Sequence, residues 1–152
     1  MVAIAQPELA ALSSEVSATL HVNAQVAYEV FADAQQTPRW LPLVKSARIV
    51  RRHPNGRPWQ VAYAAEVDRG EIQYTLQYEF LPEELLITWT TAPQSQLLLA
   101  GEVRFLPLSP KASLMLYRLD LESNTASWKD DYDGHVAESV VAELKAHLRR
   151  IS

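Results

Sequence analysis

The chain has 152 residues, a hydrophobic share of 48%, a charged share of 21% and a formal net charge of −4. These values describe one globular domain with enough material for a core, and they give no general attraction to nucleic acid or anionic lipid. The absence of cysteine excludes disulfides, thiolate catalysis and Cys-based zinc sites. No apolar run approaches the roughly 18 residues of a membrane span, and Met1 to Ala5 lacks the basic start and apolar core of a signal peptide. A soluble, cytoplasmic protein is expected.

Residues 1–14 read as a loose lead-in to a domain spanning 15–152, with Pro7 suited to open one helical turn over Glu8 to Leu12. From Glu15 to Val22 the residues alternate, Val16, Ala18, Leu20 and Val22 sharing one face, as in a half-buried strand. Asn23 then caps a short helix whose apolar stripe is Val26, Val30 and Phe31. Pro38 and Pro42 bracket a second helical turn around Arg39-Trp40-Leu41.

A run of strands follows. Asn55-Gly56 is the strongest short hairpin signal, since both residues tolerate positive φ. As a two-residue turn it sets Val61 opposite Val50, Glu66 opposite Lys45 and Arg48 opposite Tyr63. Two-residue turns at Arg69-Gly70 and Pro82-Glu83 set Val67 opposite Ile72, Ala65 opposite Tyr74, Phe80 opposite Leu85 and Tyr78 opposite Ile87. The registers agree on one apolar face, running from Trp59, Val61 and Tyr63 to Leu85, Ile87 and Trp89, with Gln60, Glu66, Gln73 and Gln77 on the other. Two further strands, about 97–107 and 112–122, complete the run.

The period then changes. Trp128, Tyr132, Val136, Val140, Leu144, Leu148 and Ile151 recur at helical spacing, so the chain ends in a long amphipathic helix from near Ser127 to near Arg150. An antiparallel sheet with one apolar face needs a cover, and this helix is the cover available. The fold class is α+β.

This order resembles the START-like, or SRPBCC, superfamily of polyketide cyclase/dehydrase and lipid-transfer proteins. Four segments carry the resemblance: the strand Val16 to Val22 followed at once by a helix over 24–32; Asp33 through Pro38, Trp40, Pro42 and Val44; Gly101 with Val103-Arg104-Phe105 and a Pro-containing turn; and the closing helix with Leu144-Lys145. The usual Pro at the start of the first helix is replaced by Ala24-Gln25. The resemblance implies a helix-grip fold: a curved antiparallel sheet of about seven strands around a long C-terminal helix, with two short helices after the first strand. It also implies that the space between sheet and helix is a ligand cavity.

On that basis the concave rings Trp59, Tyr63, Tyr74, Tyr78, Trp89 and Tyr117 are candidate cavity walls. Packing alone accounts for any one of them, but buried tyrosine hydroxyls need partners that a ligand would supply. Trp40 stands near the mouth, and Val136 and Val140 face the sheet from the helix. A ligand pocket is of order 300 Å³ or more. Arg48 on the concave side suits a ligand carboxylate or phosphate unless a bulge turns it outward, and His135 adjoins the helical stripe. No metal-ligand spacing is present, and neither a metal nor another cofactor is expected. Residues 34–65 hold six basic residues and no acidic one; alternation divides them between two faces, so nucleic acid is not the expected partner. Three functions stand open: a binding or carrier protein for a lipid or aromatic polyketide-like molecule, a cyclase/dehydrase in which Tyr63, Tyr78, Arg48 or His135 orients and protonates substrate, and a protein-interaction module.

Overall fold

Strand β1 (Ala10–Leu20) opens the described part of the chain, which comprises residues 10–67, 70–93, 97–123 and 135–151 of this computed structural model. It pairs antiparallel with the last strand from Ala10, opposite Ser123, to Leu20, opposite Ser113. Residues 10–14 therefore belong to the sheet, and Ala10 to Leu12 are extended where a helical turn was expected. A neighbouring strand with backbone groups to pair outweighs the weak local preference of a few residues.

The other elements are α1 (Ala24–Ala32), α2 (Thr37–Trp40), β2 (Val44–Arg52), β3 (Pro58–Val67), β4 (Gly70–Leu81), β5 (Leu86–Thr91), β6 (Leu97–Ser109), β7 (Ala112–Ser123) and α3 (His135–Ile151). The seven strands form one curved antiparallel sheet in the order β1-β7-β6-β5-β4-β3-β2. Asn23 caps α1, its side-chain oxygen accepting from the backbone N–H of Gln25 at 2.8 Å and of Val26 at 3.4 Å. The buried stripe of α1 is Ala24, Ala27, Tyr28 and Ala32, with Phe31 half-buried beside it, whereas Val26 is 48% exposed. The helix is thus rotated from the stripe its β-branched residues suggest, and its alanines let it settle on β6 and β7.

The concave face is continuous. Val61, Tyr63, Leu76, Tyr78, Ile87, Trp89, Val103, Phe105, Met115 and Tyr117 are all buried in one core. The faces agree with the alternation, but the pairings differ. Tyr63 pairs with Tyr74 and Val67 with Gly70. Between β4 and β5 a 3-10 turn, Pro82–Glu84, ends at Leu85 in the left-handed region (φ 49°), so Phe80 pairs with Ile87 and Tyr78 with Trp89. Both pairings are two residues from the expected ones. Because side chains alternate with a period of two, such a shift leaves every residue on its own face.

The β2–β3 hairpin shifts by an odd number. The His53 N–H bonds to the Arg57 carbonyl at 2.8 Å, closing a three-residue loop in which Gly56 takes φ 91°. Val61 consequently pairs with Ile49 and Arg48 with Ala62, and the ladder is irregular between Ile49 and Arg51. One residue of slip changes faces: Arg48 is exposed on the convex side, not concave, and Val50 is 43% exposed. The same hairpin holds α1, since Arg57 reaches both carboxylate oxygens of Glu29 at 3.0 and 3.1 Å while its guanidinium lies over the rings of Tyr28 and Phe80.

Helix α3 buries Ala137, Val140, Val141, Leu144 and Leu148 and packs on β1, β7 and α2. Ile151 is 54% exposed and leaves the expected stripe. The expected start near Ser127, with Trp128 and Tyr132, lies outside the described residues. No described helix is long and apolar enough to cross a membrane.

Leu144 is fully buried, so Leu144→Ala should lower the unfolding free energy by about 2–5 kcal/mol in a denaturant titration. Val26→Ala, at a half-exposed site, should change it by less than about 0.5 kcal/mol.

Candidate functional site

Alternation and helix packing leave an apolar hollow between the sheet and the three helices. Its volume is about 80 Å³. Tyr63, Tyr74, Tyr78, Trp89 and Tyr117 line it from the sheet, Trp40 and Phe31 from the short helices, and Val136 and Val140 from α3. Leu41, Leu43, Val44, Leu76, Leu99, Leu119 and Thr37 complete the wall. It is smaller than the expected ~300 Å³ of a ligand pocket. The reason is the reach of α1 and α2: Phe31 stacks on Trp89 at 5.6 Å between centroids, and Trp40 sits 6.0 Å from Phe31.

Two candidates are not at the hollow. Arg48 is turned outward by the hairpin register. Trp59 stays at the hairpin end, because the β3–β4 ladder stops at Gln60–Gln77 and the next carbonyl, that of Tyr78, accepts from His53 Nε2 at 2.6 Å. The Trp59 ring packs 6.1 Å from that imidazole. The backbone of His135 opens α3, but its side chain lies outside the described residues. Phe31 and Thr37 were not among the sequence candidates. Phe31 is in register with Ala24, Ala27 and Tyr28 at helical spacing, a signal that was available. Thr37 had none, because the other residues of the wall around it are far away in sequence.

Trp89 is held by what its neighbour lacks. It pairs directly with Gly101, where a Cβ would lie 2.6 Å from two atoms of the indole and 2.7 Å from the Arg118 carbonyl oxygen. The ring therefore lies against bare backbone, with Phe31, Tyr78 and Tyr117 around it.

The polar groups of the hollow are neutral. The Tyr63 and Tyr78 hydroxyls are hydrogen-bonded at 2.5 Å, and Thr37 stands at the same wall. The Trp40 indole N–H is buried without an acceptor among the described residues. Burial pushes the Tyr63 hydroxyl up to about 12, raises Tyr78 well above 10 and raises Tyr117 as well. Apart from Tyr63, Tyr74, Tyr78 and Tyr117, no ionisable side chain lines the hollow among the described residues. Nor do the described residues contain a group of three or more His, Cys, Asp or Glu able to hold a metal ion. Such a site solvates apolar matter and donates hydrogen bonds; its hydroxyls are too basic as anions to serve as bases near neutral pH.

The sequence model for the family described as polyketide cyclase / dehydrase and lipid transport matches residues 20–143. The chain belongs to this family. No curated protein matches it. Among solved structures it is similar to a START superfamily protein from Mycobacterium smegmatis, with TM-score 0.82 at 18% identity, covering 92% of this chain and 99% of that one. It is also similar to a Thermus thermophilus protein, with TM-score 0.80 at 15% identity over 93% and 99% of the two chains. The Zhui aromatase/cyclase from a Streptomyces strain gives TM-score 0.68 at 16% identity over 90% and 86%. At these identities the likeness is one of fold.

Gly101→Ala should destabilise the protein by about 1–3 kcal/mol, because neither the paired backbone nor the caged indole has room to yield; chemical unfolding followed by tryptophan fluorescence measures it. The tyrosines make a separate prediction. A hydroxyl whose folded pKa is raised contributes stability that is whole below its ordinary value of 10.0 and is lost as pH climbs toward about 12. Stability should therefore be insensitive to Tyr63, Tyr78 and Tyr117 up to about pH 10 and fall above it. In a spectrophotometric titration these three should ionise late, together with alkaline unfolding.

Proposed function

We propose that this protein binds an apolar, ring-bearing small molecule in the hollow between sheet and helices and acts as a carrier or receptor for it. The observation that supports this most is the wall itself, in which seven aromatic side chains surround unfilled space that no described charged group enters. A domain of this size packed for stability alone has few voids larger than a water molecule. The family description includes lipid transport and polyketide cyclisation, both of which concern apolar substrates.

At about 80 Å³ the hollow is below the ~150 Å³ that lets an apolar cavity take up benzene in another protein. Ligand entry on this reading includes a displacement of the helical side. Phe31 and Trp40 are the rings with most to give, since α1 and the one-turn α2 carry them.

A second reading, cyclase-type catalysis, draws on the hydroxyl set of Thr37, Tyr63 and Tyr78. Hydroxyls that stay neutral polarise a ketone and hold a folded polyketide in a reactive shape. Arg48, turned outward, has no part in it, and the described wall offers no base.

A hydrophobic fluorescent probe should bind the native protein and be displaced by polycyclic aromatics. Val140→Phe, which pushes a ring into the hollow, should reduce probe binding at least about tenfold while far-ultraviolet circular dichroism stays native. Probe binding undiminished in that variant would place the ligand elsewhere. Native mass spectrometry of protein from its own host identifies the molecule carried.

A further inference from the structure

Among the described residues the hydrogen-bonding groups of the hollow do not balance. The Tyr63 and Tyr78 hydroxyls form one linked pair. Two hydroxyls bring two hydrogens, and the link uses one of them, so one O–H is left over whichever way the pair is oriented. Trp40 adds a second donor: its indole N–H is buried, has no acceptor among the described residues and cannot accept a bond itself. Buried donors left unpaired are costly, and most native ones find a partner.

What would balance them is specific. A hydroxyl on the ligand brings a hydrogen of its own and so leaves the surplus in place. A carboxylate brings acceptors but also a charge, and none of the described side chains lining the hollow is a cation to offset its loss of hydration. A carbonyl or ether oxygen brings lone pairs alone.

We propose, on the basis of the carrier reading above, that the hollow recognises an uncharged carbonyl-type oxygen on an otherwise apolar ligand. Its donors are the Trp40 N–H and the spare hydroxyl hydrogen of the Tyr63–Tyr78 pair. Fatty-acid anions are then refused, although their chains are apolar enough.

Three single-ring probes separate the alternatives: acetophenone, α-methylstyrene (in which CH2 replaces the carbonyl oxygen) and benzoate. Each is titrated into the whole protein near neutral pH and followed by NMR. Acetophenone should bind about three- to tenfold more tightly than α-methylstyrene, the value of one to two net hydrogen bonds, and benzoate should bind weakest. The Trp40 indole N–H resonance, identified by its loss in Trp40→Phe, should move downfield with acetophenone and not with α-methylstyrene. In Trp40→Phe the ratio of ketone to alkene affinity should fall toward one, whatever the change in the affinity of each. The wild-type comparison needs no variant, so it stands even if Trp40→Phe folds poorly. Equal binding of ketone and alkene, tighter binding of benzoate, or an unmoved Trp40 resonance overturns the proposal alone. Failure of all three probes to bind overturns the carrier reading beneath it.

Discussion

The contact between Trp89 and Gly101 organises the interior. An indole laid on a neighbouring strand needs that strand to lack a side chain, and β6 supplies the gap where the pairing puts it. With Trp89 so placed, Phe31 can stack on it from α1, and Tyr78 and Tyr117 can stand to either side. Trp40 then packs against Phe31. Two helices and three strands thus meet through one chain of rings. Rings are stiff and bulky, and where several meet they leave gaps that flexible aliphatic chains would close.

The chemistry of the hollow follows from burial. Phenols resist ionisation in apolar surroundings, so the tyrosines remain donors and acceptors of neutral hydrogen bonds across the physiological range. Charges are kept to the outside: the Arg57–Glu29 pair clasps the hairpin to α1, and Lys45 meets Glu66 at 3.4 Å on the convex side. This division suits recognition by shape and by a few donors more than it suits acid–base catalysis.

The sheet was more legible in the sequence than the site. Faces survived two wrong turn assignments because errors of two residues cancel in an alternating pattern, as at Tyr63–Tyr74 and Tyr78–Trp89. Arg48 did not survive, because Asn55-Gly56 supports loops of two or three residues and only the structure shows which. Likewise Val26 looked more hydrophobic than Ala27, yet the close approach of α1 to the sheet favours the smaller side chain. The volume of the hollow was not legible at all. It is a small difference between large packed volumes, and it depends on the angle at which Phe31 and Trp40 enter.

The strand order leaves β1 and β2 as the two edges of an open sheet. An edge presents unpaired backbone groups, and another chain can add to it as if it were one more strand. On β2 that invitation is countered twice. Lys45, Arg48, Arg51 and Arg52 put four positive charges within nine residues, and the pairing with β3 is irregular at three places, so the strand is neither neutral nor flat. Two copies meeting edge to edge along β2 would bring like charges together and find no regular ladder to extend. The basic run that composition alone left without a partner thereby works as a guard against aggregation.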